Sequence, residues 1–241
     1  MRAATALLAV VLMFGATRAL AYRPFDGTDA AVAAPGEFEA EIGPLGYLRQ
    51  GRDKDLVVPA GVLNLGVAED WELVLQGRGR SPLSRAAPFT FGDTGVFMKG
   101  VLRRGALQDA DGVSVATEIG VLTPGIDTDP GTGASVTGIV SQRWPWGTAH
   151  LNVAAALTRD QHADLFVGTI VEGPAEWTVR PVAELFVERQ FDRATTVSGL
   201  IGAIWRVSDR LAFDAGVRHA DVGGRGVDEI RVGLTFSFAA W

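Results

Sequence analysis

The feature that most limits what this chain can become is a two-residue alternation of apolar and polar side chains, repeated along nearly its whole length. Glu37-Phe38-Glu39-Ala40-Glu41-Ile42 sets acids against apolar residues one for one. Trp71, Leu73 and Leu75 alternate with Glu72, Val74 and Gln76, and Val96, Met98 and Leu102 with Phe97, Lys99 and Arg103. The last such run sets Ile230, Val232, Leu234, Phe236 and Phe238 against Arg231, Gly233, Thr235 and Ser237. Successive side chains of a strand point to opposite faces, so this period predicts strands with one apolar and one polar face. Extending the rule predicts twelve segments, at 37–48, 56–68, 71–79, 93–104, 112–123, 133–144, 148–158, 163–172, 176–189, 195–207, 210–219 and 228–238. Most are close to the roughly ten residues a tilted strand needs to cross a bilayer. An even number is what a closed bacterial barrel requires.

The connections sort by parity. Short turns follow the even segments at Glu69-Asp70, Pro145-Trp146-Gly147, Gly173-Pro174-Ala175 and Ser208-Asp209. Longer loops follow the third and fifth, Arg80 to Gly92 and Pro124 to Thr132. Outer-membrane barrels divide periplasmic turns from exterior loops in this way, which places both termini in the periplasm. The stretch 105–111 after the fourth segment fits the short side least well.

Tryptophan supplies an independent check. Trp71 and Trp177 are predicted to open strands just after a periplasmic turn, and Trp144 and Trp205 to close strands just before one. These four share the apolar phase and form a belt at one membrane–water interface, where an apolar ring with a polar N–H is favoured. A secreted β-sandwich, the main rival, has no reason to gather its tryptophans at alternate strand ends.

The polar face also separates the two readings. It carries Glu37, Glu39, Glu41, Glu72, Glu118, Glu184, Glu188 and Asp214 against Arg78, Lys99, Arg103, Arg143, Arg180, Arg206, Arg218 and Arg231. Acids and bases in balance suit a narrow interior, where buried charges need partners. A Lys or Arg on the opposite face would cost roughly 2–4 kcal/mol at mid-membrane, and almost none is there.

The N-terminus reads as an export signal over residues 1–21: Arg2, an apolar stretch from Ala3 to Ala16, then Ala19-Leu20-Ala21 as the cleavage site. The remaining residues, 22–241, are expected to form one outer-membrane β-barrel domain, all-β, antiparallel and up-and-down. The chain has no cysteine, which excludes disulfides and thiolate metal sites. Its formal charge is −6, and losing Arg2 and Arg18 makes it more acidic, which argues against a nucleic-acid partner. The expected surroundings are the lipid bilayer of the cell outer membrane. The aromatic end of the last strand, Phe238 or Trp241, is the expected mark for the barrel-assembly machinery.

Several motifs resemble a known family. Arg23-Pro24-Phe25 with Asp29, then Pro35-Gly36-Glu37-Phe38-Glu39, is similar to the opening of the outer-membrane family named for a MetA pathway of phenol degradation. Glu69-Asp70-Trp71-Glu72-Leu73 resembles that family's turn before its third strand. Gly92-Asp93 with Lys99, His150-Leu151-Asn152-Val153, Glu184-Leu185 and the run Leu211 to Arg218 follow in the order expected. The resemblance implies an outer-membrane barrel of transporter type acting on small hydrophobic or aromatic compounds. The C-terminal extension and the short loops depart from the family pattern.

Twelve strands at ~4.8 Å spacing and ~40° tilt enclose a backbone radius of roughly 12 Å, much of which Arg and Glu side chains fill. A narrow channel would be lined by Lys99, Arg103, Glu118, Arg180, Glu184, Asp214 and Arg218; the alternative is that these charges hold the strands together in a structural or binding barrel with no open pore. Enzymes are the other class to weigh. His150 and Asn152 share the inward face of one segment with Ser141 across from them, whereas a lipid hydrolase would aim its Ser–His pair at lipid, so no catalytic residues are expected. Asp127 and Asp129 fit no recognised calcium loop. No metal or cofactor is therefore expected. Arg78, Arg80 and Arg85 are candidates for contact with lipid phosphates at the outer rim.

Overall fold

The computed structural model describes residues 23–239. The export signal read at 1–21, Tyr22 and the terminal Trp241 lie outside the described residues. Within them the chain forms twelve strands: β1 (Glu37–Gln50), β2 (Asp53–Ala68), β3 (Trp71–Pro82), β4 (Thr90–Arg103), β5 (Ser114–Leu122) and β6 (Gly133–Trp144). β7 (Gly147–Leu157), β8 (Ala163–Glu172), β9 (Val179–Gln190), β10 (Ala194–Ser208), β11 (Leu211–Val222) and β12 (Arg225–Ala239) complete them. Each strand pairs antiparallel with its sequence neighbours, and β1 pairs with β12 to close the ring. Closure leaves no unpaired strand edge, which is what allows a sheet to sit in lipid.

The two faces differ as the alternation predicts. Outward positions are large and apolar, among them Leu185 (70% exposed) and Ile201 (66% exposed). Inward positions include Lys99, Glu41, Glu184 and Asn152, all essentially inaccessible. A barrel with apolar residues outside and charges inside is inverted relative to a water-soluble protein, so its outer surface is matched to hydrocarbon.

The end that carries Glu37 and Ala239 is here called the inner end. The turns 69–70, 145–146 and 209–210 lie there, as do the longer connections 104–113 and 173–178. At the outer end 83–89 and 123–132 are long, but 51–52 and 223–224 are tight. Loop length therefore separates the ends less cleanly than expected. The reason at 104–113 is local: it contains a short 3-10 helix, Ala106–Gln108, and folds inward against β6 and β5.

Two further expectations are corrected. β9 begins at Val179, so Trp177 lies in the turn before it and does not open the strand. β3 and β4 are longer than predicted, so Arg78 and Arg80 lie on β3 and pair with Asp93 of β4, at 3.8 and 3.4 Å, instead of forming a basic rim loop. Trp71, Trp144, Trp177 and Trp205 are all about half exposed at the inner end, where Trp144 stacks on Trp146 at 5.0 Å.

Candidate functional site: an occupied lumen

The lumen holds the chain's own N-terminal segment. Residues 23–36 show no alternation and form no strand. Gly36, with φ of 76°, turns the chain back from β1 into the barrel, and its N–H bonds the Gly66 carbonyl at 2.9 Å. A β-carbon at Gly66 would collide with the Ala34 carbonyl, so this glycine makes room for the segment to enter.

Inside, the segment has no strand neighbour, so its backbone must find side-chain partners on the wall. The Asp26 and Gly27 N–H groups donate to Glu184 of β9 at 2.9 and 2.7 Å. Thr28 exchanges two hydrogen bonds with Asn152 of β7, at 3.0 and 2.8 Å. Ala33 N–H donates to Glu72 of β3, and Arg23 N–H to Glu41 of β1. Asp29 accepts from Ala31 N–H two residues on, an Asx turn that shapes the segment locally.

Ion pairs reinforce this lattice. Asp26 lies 3.0 Å from Arg231 of β12 and 3.3 Å from Arg218 of β11. Burial alone would raise the Asp26 carboxyl, but Arg231 and Arg218 outweigh it and hold it below the ordinary carboxylate range. Lys99 lies 3.3 Å from Glu72 and 3.7 Å from Asp29. Apolar inward residues give the segment a floor: Phe25 packs on Val182, Ile204 and Ala212, and Ala30 on Ala116, Ile139 and Leu107. Leu107 belongs to the inward-folded connection, whose Gln108 side chain also donates to Ala30 O at 2.8 Å.

A buried relay completes the anchor. Ser141 Oγ accepts from Ala30 N–H at 3.0 Å and lies 2.8 Å from His150 Nδ1; His150 Nε2 lies 2.9 Å from Glu172, which in turn faces Arg180 at 3.2 Å. Residue types of a hydrolytic triad are present, but the serine is wholly inaccessible and already accepts from the backbone. Its geometry is that of a structural latch, with a hydroxyl that has no open site in front of it.

Of the lumen candidates read from the sequence, Lys99, Glu184 and Arg218 contact the segment as above, and Asp214 lies 3.7 Å from Arg23. Arg180 braces Glu172, and Glu118 faces the cavity described next. Arg103 does not join them: a register shift at Val101/Arg103 leaves it exposed at the inner end of β4. Sequence reading placed Arg231 on the polar face but not among the lining residues, and missed Glu229, Asn64 and the segment itself. The signal lay in Asp26, Asp29 and Arg23, charges in a stretch with no strand period. No group of three or more potential metal ligands occurs among the described residues.

Above the segment the lumen opens into a cavity of about 500 Å³. Phe25 to Thr28 form its floor, Phe166 and Phe186 one wall, Arg78 and Asp93 the other, with Leu122 and Arg159 near the outer mouth. The two phenylalanine rings lie 4.9 Å apart, and the Arg218 guanidinium sits 5.5 Å over Phe186. The volume is that of a site for a small organic molecule.

No family model and no curated protein sequence matches the chain. Among solved structures it is similar to the COG4313 outer membrane channel from Pseudomonas putida F1, with a TM-score of 0.64 at 10% identity over 89% of this chain and all of that one. It is also similar to the KdgM porin in complex with disordered oligogalacturonate, with a TM-score of 0.55 at 11% identity over 83% of this chain and 99% of that one. The fold is an outer-membrane β-barrel. At this level of identity the likeness is one of architecture alone, and the contents of the lumen must be argued from this chain.

Proposed function

We propose that this barrel is a narrow channel or transporter for small hydrophobic or aromatic molecules, as the resemblance to the MetA-type family implies, with the N-terminal segment as its obstruction. The observation that carries this reading is the pairing of an outer cavity of about 500 Å³ with a segment that closes it from below. A structural scaffold has no need of a cavity with an aromatic wall, and a general porin has no need of a segment across its bore. Transit would require the segment to shift.

Planar-bilayer conductance and vesicle uptake of a small aromatic solute test this, comparing the full chain with a variant lacking residues 23–33. The full chain should pass little current and the shortened one much more. A bilayer sealed at all voltages with both proteins would defeat the channel reading. It would favour a binding or structural barrel instead, a view that draws support from the many wall contacts of the segment.

A further inference from the structure

The charges around the outer cavity are not equally occupied. Each of its basic groups is already engaged by the protein. Arg78 faces Asp93 and Glu229, each at 3.8 Å, and Arg218 faces Asp26 and Glu229, each at 3.3 Å. Lys99 is held by Glu72 and Asp29, and Arg23 by Asp214. Arg159 donates to the backbone carbonyls of Thr123 and Thr94.

The carboxylates are the other way round. Glu41, Glu72, Asp26 and Asp93 are bonded as described, whereas Glu118, opposite Lys99 across the β4–β5 pair, and Glu188, on the side of the lumen that Arg218 faces, form no ion pair within 4 Å among the described residues. Glu188 bonds Thr196, the residue opposite it on β10. Asp164, diagonal to Glu188 across the β8–β9 pair, also has no cation that close. The aromatic wall sits between these acids: Phe166 is directly opposite Glu188, and Phe186 is two residues before it on the same face.

We propose that the outer cavity is a binding site for a small organic cation, an ammonium group on an aromatic or aliphatic body. The ammonium meets Glu188, supported by Asp164 and, from across the cavity, Glu118. The apolar body lies against Phe166 and Leu122. Carboxylates that face a low-dielectric cavity without a close ion-pair partner attract a cation more strongly than exposed ones do, and aromatic faces add to that attraction. An anionic ligand would meet arginines and a lysine already facing carboxylates or backbone carbonyls of the protein, beside two acids that form no close ion pair. This deepens the transport reading by naming the substrate class, and it rests on that reading only for the passage of ligand beyond the cavity.

The test uses three probes with one phenyl ring and different heads: 2-phenylethylammonium, 2-phenylethanol and 3-phenylpropanoate. Binding to the full-length protein in lipid nanodiscs is measured by titration calorimetry at neutral pH, and uptake of each by vesicles. The ammonium probe should bind at least about tenfold more tightly than the alcohol, and the carboxylate most weakly. Glu188→Gln should erase most of that preference while leaving binding of the alcohol unchanged, and Glu118→Gln should reduce it less. Equal binding of ammonium and alcohol, or an unaltered preference in Glu188→Gln, overturns the site. If the ammonium binds selectively but no probe enters vesicles, the site stands and the transport reading falls. If probes enter without regard to head group, transport stands and the site falls.

Discussion

The inner and outer halves of one lumen solve opposite problems with the same residue types. In the inner half, buried charges and amides are matched against a segment of the same chain: Lys99 against Glu72 and Asp29, Asn152 against Thr28, Ser141 against Ala30. In the outer half, Glu188 faces open space beside two phenylalanines. A charge that is buried and paired holds structure together, whereas one that is buried and left without a counter-ion is free to meet a ligand. The contrast predicts that substitutions in the inner half act on stability and closure, and those in the outer half on selectivity.

The largest effect should come from Lys99→Met. It leaves Glu72 and Asp29 facing each other without their shared cation, and removing one partner of a buried pair costs about 3–5 kcal/mol. Urea-induced unfolding from lipid vesicles should report that loss, and a cost within 1 kcal/mol would break the contrast at its stronger side. Ser141→Ala comes next. It removes the acceptor of Ala30 N–H and the partner of His150, a loss of about 1–3 kcal/mol, and hydrogen exchange at the Ala30 amide should accelerate.

The Asp26 anchor sharpens the comparison through pH. Its carboxyl is held below the ordinary carboxylate range, so its contribution is fully present above about pH 4 and is lost only as the pH falls through its lower folded value. The conductance change that Asp26→Asn removes should therefore be absent from neutral pH to about pH 5 and appear only in stronger acid. A rise already near neutrality would assign the change to one of the wall carboxylates that also hold the segment, such as Glu184, and not to Asp26. The smallest stability change belongs to Glu188→Gln, within about 0.5 kcal/mol, because it forms no close ion pair and its bond from Thr196 can be accepted by the amide oxygen instead.

How much of this was legible beforehand follows from what each part demands of sequence. Lipid outside and water or protein inside impose a period of two on every strand, so the ring could be read strand by strand from β1 to β12. Boundaries slipped where irregular backbone intervenes, as at Trp177 and at Arg103 beyond its register shift. The segment 23–36 obeys no period, because its partners lie up to 209 residues away, as in the bond from Arg23 to Val232 O. Inward apolar residues such as Ile139, Ile170 and Ile204 gave a partial sign. They make little sense in a wet bore and good sense beneath a packed peptide, but only once that peptide is known to be there.

Arg23 reaches mid-barrel beside the β1–β12 seam, where a β-carbon at Gly233 would collide with it. The first of the described residues is therefore enclosed, while the Gly223-Gly224 hairpin lies at the outer end. A dye attached at Arg23 itself would sit within the ring and dislodge what lies there. Labels meant to leave the molecule undisturbed belong at that hairpin.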